Sequence, residues 1–269
     1  MRSNNPVLSR PDAWQGASVQ QVPGQYGQYP AQPPYGYDPN AQQFAPAPVA
    51  GRMTIDDVLT KSAITLGTLM AVAALTFLFL PPALIFPAWV VGGLVSFGVV
   101  LLVSFRRRVN PAFVLAYAAI EGVFIGAISK AYESLYSGIV PAAVMGTLVA
   151  AAATLAAYKF FRIRVTNKFR RMVMIGTIAY AGLLLVNLVL SFFGLGFLFN
   201  GGNLLFLLAI SAIGVGLAVF NLILDFDYIE QGVAMGADAS ESWRAAFGLT
   251  VTMVWLYIEI LRLLSYFRR

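Results

Sequence analysis

Residues 203–224 read NLLFLLAISAIGVGLAVFNLIL, and no charged side chain interrupts them. An α-helix rises about 1.5 Å per residue, so this stretch is long enough to cross a bilayer core of about 30 Å. It lacks the alternation of apolar and polar residues that a membrane β-strand requires. Because a helix satisfies its own backbone groups in lipid, the stretch predicts a membrane-spanning helix.

Six further apolar stretches of similar length occur in the chain. They are residues 62–84, 86–104, 111–129, 138–158, 172–193 and 246–266. Gly122 and Gly126 form a GxxxG step, a spacing that lets two helices approach closely. The dipeptide Pro81-Pro82 predicts a turn after the first span. We therefore expect an all-α polytopic membrane protein, a bundle of seven transmembrane helices.

Composition agrees with this expectation. The chain of 269 residues is 59% hydrophobic and only 11% charged, whereas about a quarter of the residues of a soluble domain are charged. Cysteine and histidine are both missing from the sequence. Their absence excludes disulfides, thiol catalysis, His-ligated zinc and Ser-His chemistry. We accordingly expect neither an enzyme nor a bound cofactor.

The N-terminal fifty residues differ from the rest. They hold 9 of the 14 prolines and 8 glutamines, with tyrosines spaced among glycines. Such a segment has too little apolar surface to offset the entropy cost of folding. Thr54 followed by Asp57 has the spacing of a helix-capping box. We predict a disordered cytoplasmic tail over residues 1–53 and a transmembrane domain over residues 54–269.

Basic residues concentrate in two of the loops between spans. They are Arg106, Arg107 and Arg108 in the second loop, and Lys159, Arg162, Arg164, Lys168, Arg170 and Arg171 in the fourth. The positive-inside rule places these loops and the N-terminus in the cytoplasm. The net charge of +6 thus lies between apolar runs, a membrane pattern that does not indicate nucleic acid binding. Seven crossings leave Arg268 and Arg269 outside, in mild conflict with that rule.

Acidic residues within the spans need an explanation, since each charge in a membrane costs at least about 2.5 kcal/mol. Glu121 lies near the centre of span three. Its purely structural interpretation is a protonated acid that is hydrogen-bonded to a neighbouring helix. Glu259 lies in span seven with Arg262 three residues later, a spacing that suits a structural ion pair. Asp225 and Asp227 end the apolar run of span six, and a solvated acid is ordinary at the depth of Asp225. Asp227 is a further candidate for the ion pathway, with Glu121 and Arg262.

Asp225 also allows a functional interpretation. Phe226, Ile229 and Val233 continue an apolar stripe at helical spacing, so helix six is expected to run past Asp225. A turn over residues 234–242 would then bring Asp225 towards Glu259 on the antiparallel helix seven. Two adjacent carboxylates share a proton or hold a cation, and carboxylate oxygens suit calcium. The pair Asp225 and Glu259 is therefore a candidate for transient calcium binding.

Several features together resemble the Bax inhibitor-1 family, also called the transmembrane Bax-inhibitor-motif family, and its bacterial branch in particular. They are the seven spans, the arginine triplet 106–108, Asp-Phe-Asp-Tyr-Ile at 225–229 and Leu-Tyr-Ile-Glu-Ile-Leu-Arg at 256–262. The resemblance covers about residues 60–267. It implies a bundle with the last helix at its centre and a pH-sensitive leak of calcium.

The resemblance also implies a gate, made of the acids Asp225 and Glu259 with Arg106 locking the first of them. This chain departs from the family in four places. Span seven usually carries Asp where Glu259 stands, and the loop between the two acids is longer than usual and itself acidic. Arg262 stands where a neutral polar residue is expected, and Val95 and Ser96 fill the part of span two where some bacterial members carry an acid. Together with an arginine- and alanine-rich composition and no import signal, the resemblance suggests a bacterial inner membrane.

Two other functions compete with a calcium leak. A non-transporting regulator would bind a membrane protease or stress machinery through the tail and the basic loops. A proton-coupled transporter would use Glu121 and Glu259 as proton carriers, but the internal repeat typical of such proteins is not evident.

Overall fold

A computed structural model describes residues 51–106, 109–161, 163–195 and 203–268. Residues 1–50 of the predicted tail (1–53), together with Arg107, Arg108 and Arg162, lie outside the described residues. Within these residues, seven α-helices are long and apolar enough to cross a membrane, so the expected all-α bundle is confirmed. They are α1 (Ile55–Phe79), α2 (Ile85–Ser104), α3 (Pro111–Leu135), α4 (Ile139–Phe160), α5 (Asn167–Phe192), α6 (Leu204–Ala234) and α7 (Glu241–Phe267).

The helix ends follow from local sequence signals. The Thr54 hydroxyl accepts a hydrogen bond of 3.2 Å from the backbone N–H of Asp57, so the predicted cap begins α1. The two prolines end α1, and a short 3₁₀ turn over Pro82–Leu84 leads into α2. Helix α6 continues to Ala234, ten residues beyond the purely apolar run, which confirms that the helix runs past Asp225.

Helix α7 is central to the bundle. It packs against α1, α3, α4 and α6, while α2 packs on α3 and α5 packs on α6. Leu256 and Leu261 of α7 are fully buried in the largest apolar cluster. The position of the last helix therefore agrees with the arrangement that the family resemblance implies.

The GxxxG step of α3 is a packing feature, as predicted. A Cβ atom at Gly122 would lie 2.7 Å from the carbonyl oxygen of Leu69, and one at Gly126 would lie 2.5 Å from that of Ala73. Both distances are to the backbone of α1, which cannot yield as a flexible side chain would. These two glycines thus permit the close approach of α1 and α3.

One face of the bundle carries the basic connections, and we call it the basic face. There Arg244, in the first turn of α7, donates to the carbonyl oxygen of Arg106 at 3.1 Å. The Tyr158 hydroxyl near the end of α4 donates to Glu230 near the end of α6 at 2.6 Å. Arg52, just before α1, pairs in an antiparallel bridge with Asp238 in the turn between α6 and α7.

The opposite face carries the connections between α1 and α2 and between α3 and α4. Lys130 donates from Nζ to the carbonyl oxygen of Leu80 at 2.7 Å. Arg268 donates to the carbonyl oxygen of Ser137 at 2.5 Å. Seven crossings place Arg268 on this face, and its role as a loop-capping donor explains a basic residue there.

Candidate functional site

Glu259 lies in a fully buried polar cluster on α7. Its side chain is 0% exposed and pairs with Arg262, whose Nη1 donates to both carboxylate oxygens at 3.1 and 3.2 Å. The Tyr180 hydroxyl of α5 donates to Oε1 at 3.0 Å, and the Trp255 indole N–H donates to the same oxygen at 3.3 Å. The charge of Glu259 is thus balanced within its own helix and further stabilised from α5.

Gly214 of α6 makes room for this cluster. A Cβ at this position would lie 2.5 Å from the Tyr180 hydroxyl and 2.6 Å from Cδ of Glu259. Any side chain larger than hydrogen would collide with the carboxylate or with its donor. The carboxylate of Glu259 therefore fills the space that a side chain on α6 would otherwise occupy.

Asp225 occupies a different part of the same interface. Its Oδ1 lies 3.6 Å from the position of a Cβ at Gly248 of α7, and Thr252 also hydrogen-bonds to its side chain. Its Oδ2 is buried and has no hydrogen-bond partner among the described residues. Burying a carboxylate oxygen without a hydrogen-bond partner costs free energy. Among the described residues, Oδ2 of Asp225 is therefore the least well stabilised acidic oxygen of the α6–α7 interface.

The structure does not bring Asp225 and Glu259 together, so the prediction of an acid pair is wrong. Gly214 faces Glu259 and Asp225 faces Gly248, which fixes the register of the antiparallel helices. The two acids are thus eleven residues apart along each helix, or about 16 Å at 1.5 Å per residue. The sequence showed that the helices are antiparallel neighbours, but their register depends on side-chain packing.

The same separation excludes a calcium ion shared by the two acids. Calcium takes six to eight oxygen ligands at about 2.4 Å, and ligands about 16 Å apart cannot meet at one ion. In the part of the chain that the structure describes, no three His, Cys, Asp or Glu residues cluster as a metal site. Asp225 and Glu259 are therefore separate positions along the α6–α7 interface.

Arg106 does not lock Asp225 in this structure, contrary to the expected gate. Its guanidinium lies over the ring of Phe113, 4.4 Å from the ring centroid, and the residue is exposed. Arg106 follows the last turn of α2, where a cation–π contact with α3 is available to it.

Glu121 is buried between α2 and α3 and is 5% exposed. The Ser96 hydroxyl of α2 donates a hydrogen bond to its carboxylate, and Tyr117, one turn earlier in α3, also hydrogen-bonds to it. This agrees with an acid held by a neighbouring helix. Ser96 lies in the middle of span two, so the Glu121 carboxylate from α3 reaches this part of α2.

Asp227 is part of a polar cluster at the basic face. Arg170 of α5 pairs with its Oδ2 at 2.8 Å, and the Gln231 amide donates to the same oxygen at 2.7 Å. Asp227 is 7% exposed, so this acid near the end of the apolar run is a buried partner of α5. It joins α5 to α6 and lies apart from the Glu259 cluster.

Sequence reasoning missed most of the partners of these acids. Trp255 stands one turn before Glu259, and helical spacing alone would have indicated its contact. Tyr180, Gly214 and Gly248 come from other helices, and no spacing rule relates them to the acids. The stacking of Tyr180 on Trp255, with ring centroids 5.9 Å apart, likewise depends on the tertiary fold.

These features define a multi-pass helical membrane protein with buried acids along its last two helices. A sequence model described as Bax inhibitor 1 like matches residues 5–269, and the chain belongs to this family. The match begins at residue 5 and so extends into the N-terminal segment, which the resemblance noted above did not include. No curated protein sequence matches the chain.

Proposed function

We propose that this protein is a pH-sensitive calcium leak channel whose pathway follows the α6–α7 interface. The observation that carries the proposal is the buried Oδ2 of Asp225, which has no hydrogen-bond partner among the described residues. Such an oxygen is stabilised by binding either a proton or a cation. Because the two compete for one carboxylate, calcium passage at Asp225 depends on pH.

In this proposal the two acids act in series, in place of the shared pair that the sequence predicted. Asp225 lies towards the basic face and receives the cation, with water and backbone oxygens completing its ligands. Glu259 lies about 16 Å further along the interface and is neutralised by Arg262. In the proposed channel the Arg262 guanidinium opposes a cation at that depth and thereby closes the pathway.

The basic face is proposed to be cytoplasmic. Its loops carry Arg106 to Arg108 and the six basic residues between 159 and 171, and the positive-inside rule then orients the bundle. The bacterial inner membrane remains the proposed location, on composition and family resemblance.

Calcium entry into liposomes tests the proposal. The purified full chain is reconstituted around a calcium-sensitive dye, and entry is followed at pH 6 and pH 8 against protein-free liposomes. We expect entry that requires the protein and differs between the two pH values. No entry at either pH, from protein shown to be folded by its thermal unfolding transition, would contradict the channel assignment.

A second candidate, a non-transporting regulator, is favoured by a separate observation. The backbone N–H of Met53 donates to Ala237 at 2.8 Å, and that of Ala239 donates to Gly51 at 2.7 Å. Met53 is only 2% exposed, so residues 51–53 are held against the α6–α7 turn by packing as well as by hydrogen bonds. A partner bound to the preceding tail would then act directly on the two helices that carry Asp225 and Glu259.

The two functions differ in which change abolishes the cellular phenotype. The regulator predicts that deletion of residues 1–50 abolishes it, while substitution of Asp225 or Glu259 leaves it intact. The channel function predicts instead that substitution of Asp225 or Glu259 abolishes the phenotype. A phenotype lost on acid substitution but kept without the tail would overturn the regulatory function.

A further inference from the structure

The connection between α4 and α5 carries a concentrated positive charge. Its basic residues are Lys159, Arg162, Arg164, Lys168, Arg170 and Arg171, and no acidic residue occurs anywhere between residues 134 and 224. The structure describes five of these six basic residues, all but Arg162. Four of the five are exposed, namely Lys159, Arg164, Lys168 and Arg171. We call these four residues the basic surface.

The basic surface has no carboxylate partner within the described residues. Among the described basic residues of this connection, Arg170 alone forms an ion pair, with Asp227 at 2.8 Å. The other four described residues therefore present uncompensated charge along the connection between α4 and α5. Charge of this density attracts a partner with clustered negative charge.

Apolar side chains next to the basic surface indicate which kind of partner it binds. Phe160 and Phe161 at the end of α4 are 83% and 80% exposed, and Met172 beside Arg171 is 61% exposed. Because α4 and α5 are membrane-spanning helices, these side chains reach hydrocarbon where the helices meet the interface. The charged groups then lie at the level of lipid headgroups, with their stems along the apolar surface.

We propose that the basic surface binds the headgroups of anionic phospholipids. A cluster of four to eight Lys or Arg residues directly beside a transmembrane helix is the pattern that recognises such lipids. Each headgroup phosphate offers oxygens that accept hydrogen bonds from Arg164, Lys168 or Arg171. An acidic protein or a free phosphate ion would match the charge but would leave the exposed phenylalanines without a partner.

Bound headgroups would stabilise the position of α5. Only α6 packs closely along the backbone of α5 among the described helices. The contacts include Phe169 against Phe220, with ring centroids 5.6 Å apart, and a 2.7 Å hydrogen bond from Asn221 to Thr177. Helix α5 also carries Tyr180, the donor to Glu259. Lipid bound at one end of α5 is thereby linked to the buried acid.

Native mass spectrometry of the full chain in detergent tests this inference. The protein is titrated with phosphatidylglycerol and with phosphatidylcholine of the same acyl chains, and the bound lipids are counted. We expect phosphatidylglycerol to bind more than tenfold more tightly, a preference that falls as salt is raised. The variant Lys168→Gln/Arg171→Gln is expected to lose about tenfold in affinity for phosphatidylglycerol only.

A charge-preserving variant, Lys168→Arg/Arg171→Lys, is the matched control and is expected to keep the preference. Both variants change exposed side chains, so their thermal unfolding should match that of the original chain. Equal binding of the two lipids, or a full preference in the glutamine variant, would overturn the proposal. Displacement of phosphatidylglycerol by an equal concentration of inorganic phosphate would also overturn it, because the site would then select a free anion.

Discussion

Gly214 of α6 lies directly against the carboxylate of Glu259 on α7, so that a Cβ at residue 214 would fall 2.6 Å from Cδ of the acid. This contact brings the two helices together at the depth where Arg262, Tyr180 and Trp255 bind the carboxylate. It also fixes their register, and with it the distance between Glu259 and Asp225. Together with the contact between Gly248 and Asp225, it sets the separation of the two acids along the interface.

Replacement of this glycine by alanine tests the tightness of the contact. In Gly214→Ala the added methyl group collides with Glu259 and Tyr180, neither of which is free to move. We expect a loss of about 1–3 kcal/mol in stability, measured as a lower thermal unfolding temperature in detergent. Gly216→Ala is the matched control, since a Cβ there has nothing within 4 Å. An equal effect of the two substitutions would show that the contact is loose.

The ion pair of Glu259 and Arg262 gives a second prediction. In Arg262→Gln a fully buried carboxylate loses its counter-charge, which costs about 3–5 kcal/mol when one partner of a buried pair is removed. The double variant Glu259→Gln/Arg262→Gln removes both charges and is expected to be more stable than Arg262→Gln alone. Thermal unfolding of the four proteins in a double-mutant cycle measures the coupling. Strictly additive effects would mean that the pair contributes nothing as a pair.

Met53 gives a third prediction, which concerns the packing of residues 51–53 against the α6–α7 turn. Met53→Ala removes a side chain that packs with Val58 and Ala245, at a cost of about 2–5 kcal/mol. We expect faster hydrogen exchange at the backbone amides of residues 53 and 239, because these amides donate the hydrogen bonds between the segment and the turn. Met70→Ala, at a site that is 56% exposed, should leave their exchange unchanged. Unchanged protection in Met53→Ala would show that the segment is held by other contacts.

The sequence predicted the fold far better than the site, for a physical reason. A span such as residues 203–224 is apolar for its whole length, and a lipid environment then permits little besides a helix. The cap at Thr54, the turn at Pro81-Pro82 and the continuation of α6 likewise depend on neighbours in sequence. Each of these features is decided locally, and each is present in the structure.

The arrangement of the acids is not decided locally. The pairing of Glu259 with Arg262 follows from helical spacing and is present. The pairing of Asp225 with Glu259 required the register of α6 on α7, which depends on small residues such as Gly214 and Gly248. The partner of Asp227 is Arg170, from a helix that sequence alone did not connect to it. Tertiary packing thus decided which charges meet.

The most direct test of the proposed leak concerns Asp225 itself. Asp225→Asn keeps the size of the side chain but removes the negative charge that is proposed to attract calcium. Asp56→Asn removes a charge from an exposed position in the first turn of α1 and is the matched control. In liposomes at pH 6 and pH 8, we predict that calcium entry and its pH dependence disappear in Asp225→Asn and persist in Asp56→Asn. Unchanged, pH-dependent entry through folded Asp225→Asn would contradict the central role of Asp225.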